Sequence, residues 1–153
     1  MKLKVPYFKQ EKETNCGVAC LRMVAAFHEK EVSELDLEDS CETSWLGNTC
    51  SELIHGIEKY GFEAEEVEHI TIDYLVSTLT GNSPMIALID PAVLYGGLEG
   101  FGHFVVIIGL EGDKIWYHDP DLKGDLMRNV SDFMQAWRKL SCKGVRIWKS
   151  TKR

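Results

Sequence analysis

The sequence predicts an α+β domain with N-terminal helices packed on a C-terminal antiparallel β-sheet. Apolar segments with helical period and recognisable caps fill the first half. Short β-branched runs separated by tight turns dominate the second. No repeat, low-complexity tract or linker interrupts them, so one domain over residues 1–153 is expected, long enough to bury a core without staples.

Taken in order, Val5 to Phe8 reads as an extended lead-in, because Pro6 biases its neighbour away from helix. From Cys16 to about Lys30, Val18, Leu21, Met23, Val24 and Phe27 suit a buried helix. The acidic stretch Glu31 to Asp39 carries a short helical turn around Leu35 and Leu37. Thr49 or Ser51 caps the next helix, which runs to Tyr60 and stops at Gly61. Phe62 to Val67 alternates as a strand, Ile72 to Leu79 is helical, and a turn cluster through Pro84 leads into a buried strand, Met85 to Ile89. A long glycine-rich segment, Pro91 to Phe101, reads as flexible and as a lid over a cleft. His103 to Leu110 is the strongest strand and forms a hairpin with Lys114 to His118 through Glu111-Gly112-Asp113. Ser131 caps a helix through Leu140, and Val145 to Trp148 closes the sheet. Trp116, Trp137 and Trp148 are expected in the core.

Composition removes several function classes. A net charge of −7 argues against nucleic-acid binding, which depends on Lys and Arg meeting phosphates, and the basic tail from Lys149 to Arg153 is too short to reverse that. No apolar run approaches the ~20 residues that span a bilayer, and the charged start lacks the apolar stretch of a signal peptide. A cytoplasmic protein is expected. The five cysteines (Cys16, Cys20, Cys41, Cys50 and Cys142) lack disulfide-scaffold spacing and should stay reduced there, with a Cys41–Cys50 bridge left open.

Four residues in the order Gln, Cys, His, Asp carry the chemistry. Cys16 begins a helix, where first-turn amides carry partial positive charge and favour a thiolate. An imidazolium nearby favours it further. His103, opening an apolar strand, has a rigid backbone and a ring free to face a cleft; it would hold the thiolate and protonate a leaving amine. Asp119, on the neighbouring hairpin strand, would orient that imidazole. Gln10, six residues before Cys16, would join the Cys16 backbone N–H in an oxyanion hole. Each has a blander reading alone: Cys16 as a buried small residue, His103 as structural, Asp119 with Pro120 as a turn former, Gln10 as a loop residue. The ordered set decides. His118 competes with His103, but adjacent strand residues face opposite ways, so His118 and Asp119 should not share a site. Cys16 and Cys20 with His28 or His55 raise a metal site, but zinc knuckles usually come in separated pairs and Cys20 fits the core. No cofactor or metal is expected.

At these residues the chain resembles the papain-like, bacteriocin-processing peptidase superfamily. Its members include N-terminal domains of ABC exporters that cut double-glycine leader peptides, and stand-alone relatives. The likeness runs from Val5-Pro6 and Gln10 through Asn15-Cys16-Gly17-Val18-Ala19-Cys20-Leu21, Tyr60-Gly61-Phe62 and Pro84-Met85-Ile86-Ala87-Leu88-Ile89. It continues through Gly102-His103-Phe104-Val105-Val106-Ile107, Asp119-Pro120 and the Phe133 to Trp137 helix. The resemblance implies a papain-like fold, with Cys16 as nucleophile, His103 as its partner, Asp119 as orienting carboxylate and Gln10 as oxyanion donor. It also implies a peptide or protein substrate, with an ABC exporter or a peptide precursor as partner. Asn15 departs from the family, standing where many members have Asp, and the Pro91 to Phe101 segment is long. The expected function is a cysteine peptidase, and the resemblance implies leader peptides as its substrates. An acyltransferase or amide hydrolase on the same site, or a non-catalytic peptide-binding module, are the alternatives.

Overall fold

The computed structural model describes residues 1–151, so the last two residues of the basic tail lie outside the described residues. Among the described residues, six helices and six strands follow in order as α1 (Cys16–Phe27), α2 (Glu34–Ser40), α3 (Cys50–Glu58), β1 (Phe62–Val67), α4 (Ile72–Thr80), β2 (Met85–Ile89), α5 (Pro91–Tyr95), β3 (His103–Glu111), β4 (Lys114–His118), β5 (Leu126–Asn129), α6 (Val130–Arg138) and β6 (Gly144–Lys149). The strands form one sheet in the order β1-β6-β2-β3-β4-β5, with antiparallel neighbours throughout. This is the expected α+β architecture. Among the described residues no helix is long and apolar enough to cross a membrane.

Local chemistry explains most boundaries. Thr49 closes a capping box on α3: its hydroxyl accepts from Glu52 N, while the Glu52 side chain accepts from Thr49 N. Gly61, at φ +85°, turns the chain after that helix into β1. Helix α1 is buried on nearly every side, with Val18, Leu21, Met23 and Val24 wholly inside, and it packs on β3, α2 and α3. Strand β3 is buried from Phe104 to Gly109, so both of its faces are covered. Phe104 lies against Gly17 of α1. Tyr117 of β4, in register with Ile107 and so on the opposite face, packs on Phe133 of α6 with ring centroids 5.2 Å apart.

Strand β6 completes the sheet from inside it, between β1 and β2. Gly144 allows that close approach, since a Cβ there would lie 2.5 Å from the Ile86 carbonyl oxygen. Several expectations need correction. Two elements were not expected. Strand β5 has no β-branched residue to signal it and holds the sheet edge through β4 alone. Helix α5 occupies the start of the glycine-rich segment, with Pro91 in its first turn and the Asp90 carboxylate accepting from Ala92 N. Helix α6 starts at Val130, with Asn129 rather than Ser131 in the cap position. Only Trp137 of the three expected tryptophans is fully buried; Trp116 and Trp148 are half-buried beneath Lys2 and Arg146. Cys41 and Cys50 are separate free thiols.

The lead-in does more than extend. Leu3 N donates to Ile108 O and Leu110 N to Met1 O, which adds the N-terminus beside a bulge in β3 at Gly109. His118 anchors the same segment. Its Nε2–H donates to Val5 O at 2.7 Å, while Nδ1 accepts from Asp125 N at 3.0 Å. Burial holds its pKa below the ordinary histidine value, and it faces away from Asp119 as the strand alternation required.

Candidate active site

Helix α1 brings Cys16 to the site through an unusually close packing. A Cβ at Gly17 would lie 2.9 Å from Leu53 Cδ2 and 3.2 Å from Phe104 Cδ2. Glycine therefore lets the first turn of α1 settle against α3 and against the residue that follows His103. Asn15 occupies the cap position of α1 without a side-chain capping bond. Its amide turns away instead, donating to Glu34 Oε2 at 3.1 Å and Glu38 Oε1 at 2.9 Å, while Thr14 Oγ1 donates to its carbonyl oxygen. The first-turn amides of α1 thus keep no side-chain acceptor of their own and remain available for an anion.

His103 stands at the mouth of β3. Its Nε2 meets Asp119 Oδ1 at 2.7 Å, so Nδ1 is the ring nitrogen left for the thiol. Burial on its own would lower the imidazole pKa. The hydrogen bond that His103 donates to Asp119, an interaction with the Cys16 side chain and the charges of both outweigh it and raise the value to about 10. The imidazolium is therefore the resting form at neutral pH. Asp119 is fully buried, yet the His103 ring, the Asp121 amide and the Tyr95 hydroxyl hold its carboxyl below the usual range despite desolvation. Oδ1 takes His103 and Asp121 N at 2.9 Å, and Oδ2 takes Tyr95 Oη at 3.0 Å. Tyr7 Oη donates to the Asp119 backbone carbonyl at 2.7 Å, and burial with the nearby carboxylate pushes that phenol up to about 12.

The fold brings Cys16, His103 and Asp119 together from α1, β3 and the residue just past β4. Gln10 arrives in the same neighbourhood, its backbone N–H bonded to Pro120 O at 2.8 Å. Its side-chain amide is already engaged, donating to Lys12 O at 3.0 Å and Glu13 O at 3.2 Å, and its Oε1 is buried without a partner. An oxyanion would have to take one of those hydrogens from a carbonyl. A cavity of about 410 Å³ opens beside His103 and Asp119, walled by Pro91, Tyr95, Gly96 and Leu122.

The sequence reading missed Tyr95, Tyr117 and the pair Glu34 and Glu38. Tyr117 lies two residues before Asp119, on the same strand face, which is a signal that could have been used. Nothing in the sequence marks Glu34, Glu38 or Tyr95 as neighbours of the site, because each comes from an element whose position depends on the packed fold.

A thiol beside a carboxylate-held imidazolium, at the edge between a buried helix and an antiparallel sheet, defines a papain-like thiol hydrolase. Residues 4–142 match the Peptidase C39 family, and the chain belongs to that family of cysteine-type peptidases. Among curated proteins it is similar to the lactococcin-G-processing and transport ATP-binding protein LagD of Lactococcus lactis, 28% identical over 128 residues. That alignment covers 84% of this chain but 17% of LagD. Among solved structures it resembles a protein described as a C39-like peptidase from Bacillus anthracis, with a TM-score of 0.81, 16% identity, and 99% and 100% of the two chains covered. It also resembles a double-glycine motif protease from an AMS/PCAT transporter, solved with its leader peptide, with a TM-score of 0.71, 23% identity, and 98% and 94% covered.

Proposed function

We propose that this chain hydrolyses a peptide bond of a leader-bearing precursor through a Cys16 thiolate, and that it works in the cytoplasm beside an exporter. The observation that carries the reading is the buried His103–Asp119 pair at 2.7 Å, with the Cys16 side chain among the neighbours that raise the His103 pKa. Cys16 Sγ attacks the carbonyl carbon, and the carbonyl oxygen takes up negative charge against the first-turn amides of α1 and the Gln10 amide. His103 gives its Nδ1 proton to the departing amine as the C–N bond breaks, leaving a thioester. Water then attacks the thioester, returning a proton to His103, and the C–S bond breaks to release the acid and the thiolate. Asp119 holds the ring orientation throughout.

Support for a leader-bearing substrate comes from the likeness to a lactococcin-G-processing transport protein and to a double-glycine motif protease solved with a leader peptide, and from the family match over most of this chain. The test is incubation of a precursor carrying a double-glycine leader with the protein and with Cys16→Ala, read by mass spectrometry. Cleavage at one bond, lost in Cys16→Ala, is expected. Unchanged cleavage in Cys16→Ala, or failure of a thiol-directed probe to label Cys16 at neutral pH, refutes the mechanism.

A further inference from the structure

Asp119 has one oxygen that the His103 contact does not use, and that oxygen is the key to the arm between β2 and β3. We infer that Tyr95 is a positioning residue, locking the Asp119 carboxylate through a hydrogen-bond chain that begins at Tyr117. The inference rests on the peptidase reading of the same site and extends it to two side chains outside the Gln, Cys, His, Asp set.

The geometry supplies the chain. Tyr95 Oη lies 3.0 Å from Asp119 Oδ2 and 2.7 Å from Tyr117 Oη. Each phenol has one hydrogen. An ionised carboxylate is the strongest acceptor within reach, so Tyr95 donates to Asp119 and Tyr117 donates to Tyr95. Both phenols stay protonated at any working pH, since burial above all lifts their pKa values. Tyr117 has no exposed surface, so this bond also satisfies a hydroxyl that water cannot reach.

The consequence follows from carboxylate rotation. The terminal torsion of Asp is soft, and a carboxylate with one bare oxygen can tilt its plane away from the imidazole it orients. With Tyr95 on Oδ2 and Asp121 N on Oδ1, both oxygens are held and the carboxylate plane is fixed where one oxygen meets His103. The arm that carries Tyr95 is itself fastened: buried Asp90 accepts from Ala92 N at one end and from Gly100 N, at 3.1 Å, at the other. Tyr95 also walls the cavity beside His103, so whatever fills that space touches the residue that sets Asp119.

The experiment compares wild type, Tyr95→Phe, Asp119→Asn and the double variant, with Tyr117→Phe as a second probe of the chain. Each is first checked for folding by thermal melt. Two rates are read: peptide turnover, and alkylation of Cys16 by iodoacetamide at pH 7. Loss of a hydrogen bond to a charged group predicts a fall of about tenfold in kcat for Tyr95→Phe, with KM changed by less than about twofold. Alkylation should slow in parallel, and Tyr117→Phe should move both rates the same way by less. In the Asp119→Asn background, Tyr95→Phe should add no more than about a twofold loss, because the two act in one unit. A folded Tyr95→Phe protein with unchanged rates, a change in KM alone, or a full independent loss in the double variant overturns the inference. Alkylation needs no peptide, so slowed alkylation in a protein that cleaves nothing would uphold the positioning chain and sink the peptidase reading alone.

Discussion

Replacing Gly17 by Ala tests how the fold sets the distance between the thiol and the imidazole. The new methyl would lie 2.9 Å from Leu53 Cδ2 and 3.2 Å from Leu53 Cδ1 and Phe104 Cδ2. Carbon atoms prefer about 3.5–4.0 Å, so α1 or its neighbours must give way by about 0.6 Å or more. Leu53 is fully buried, which leaves little room for it to swing aside. Overpacking of this kind costs about 1–3 kcal/mol, while the better helix propensity of Ala returns about 1 kcal/mol. Net destabilisation is therefore about 0–2 kcal/mol. Activity should suffer more, because Phe104 adjoins His103 and Gly17 adjoins Cys16. A misplacement near 1 Å can cost about 10²-fold in rate, so a loss of 10- to 100-fold in kcat/KM is expected. Urea denaturation and steady-state cleavage measure the two quantities on one preparation. Adding Leu53→Val, which removes the closest methyl, should restore most of the lost turnover. Wild-type kcat/KM in Gly17→Ala, or a loss no greater than the unfolded fraction explains, would refute the close-approach account.

Asp119→Asn should cut turnover by at least tenfold and draw the alkaline limb of the pH–rate profile toward acid, because the His103 pKa of about 10 depends on that carboxylate. The same shift has a stability sign: the folded value exceeds the ordinary 6.5, so the His103 contribution is full below 6.5 and fades as pH rises toward about 10, a trend that chemical denaturation across that range should show only when Asp119 is present. Asn15→Asp removes the donor shared by Glu34 and Glu38 and places a third carboxylate beside a buried Glu34 whose pKa burial already raises. A loss of about 2 kcal/mol or more is expected at pH 7.5 by urea denaturation, shrinking at pH 5.5 as protonation restores a donor; equal losses at both pH values would refute it.

Asn15 also shows why a departure from a family pattern can be structural. Its amide bridges two carboxylates of α2, and the loop it ends is tied to the same pair, Glu11 N to Glu34 Oε2 at 2.6 Å and Lys12 Nζ to Glu38. The loop bearing Gln10 is thus held from the acidic helix α2. The expected lid is likewise more than a glycine tether: α5 and the Asp90 fastening give its first half definite structure and aim Tyr95 at the site.

What the chain determines by itself is local. Apolar spacing makes α1 and β3, the capping box at Thr49 and Glu52 and the turn at Gly61 delimit α3, and strand alternation alone separates His118 from Asp119. Those signals act within a few residues, where backbone geometry and side-chain period dominate. The tertiary structure decided everything that depends on distant segments meeting: the insertion of β6 between β1 and β2, the pairing of edge strand β5, the bond from Tyr95 to Asp119, and the carboxylates gathered around Asn15. Such contacts are selected by packing volume and by the need to satisfy buried polar groups, and neither quantity exists until the elements are assembled.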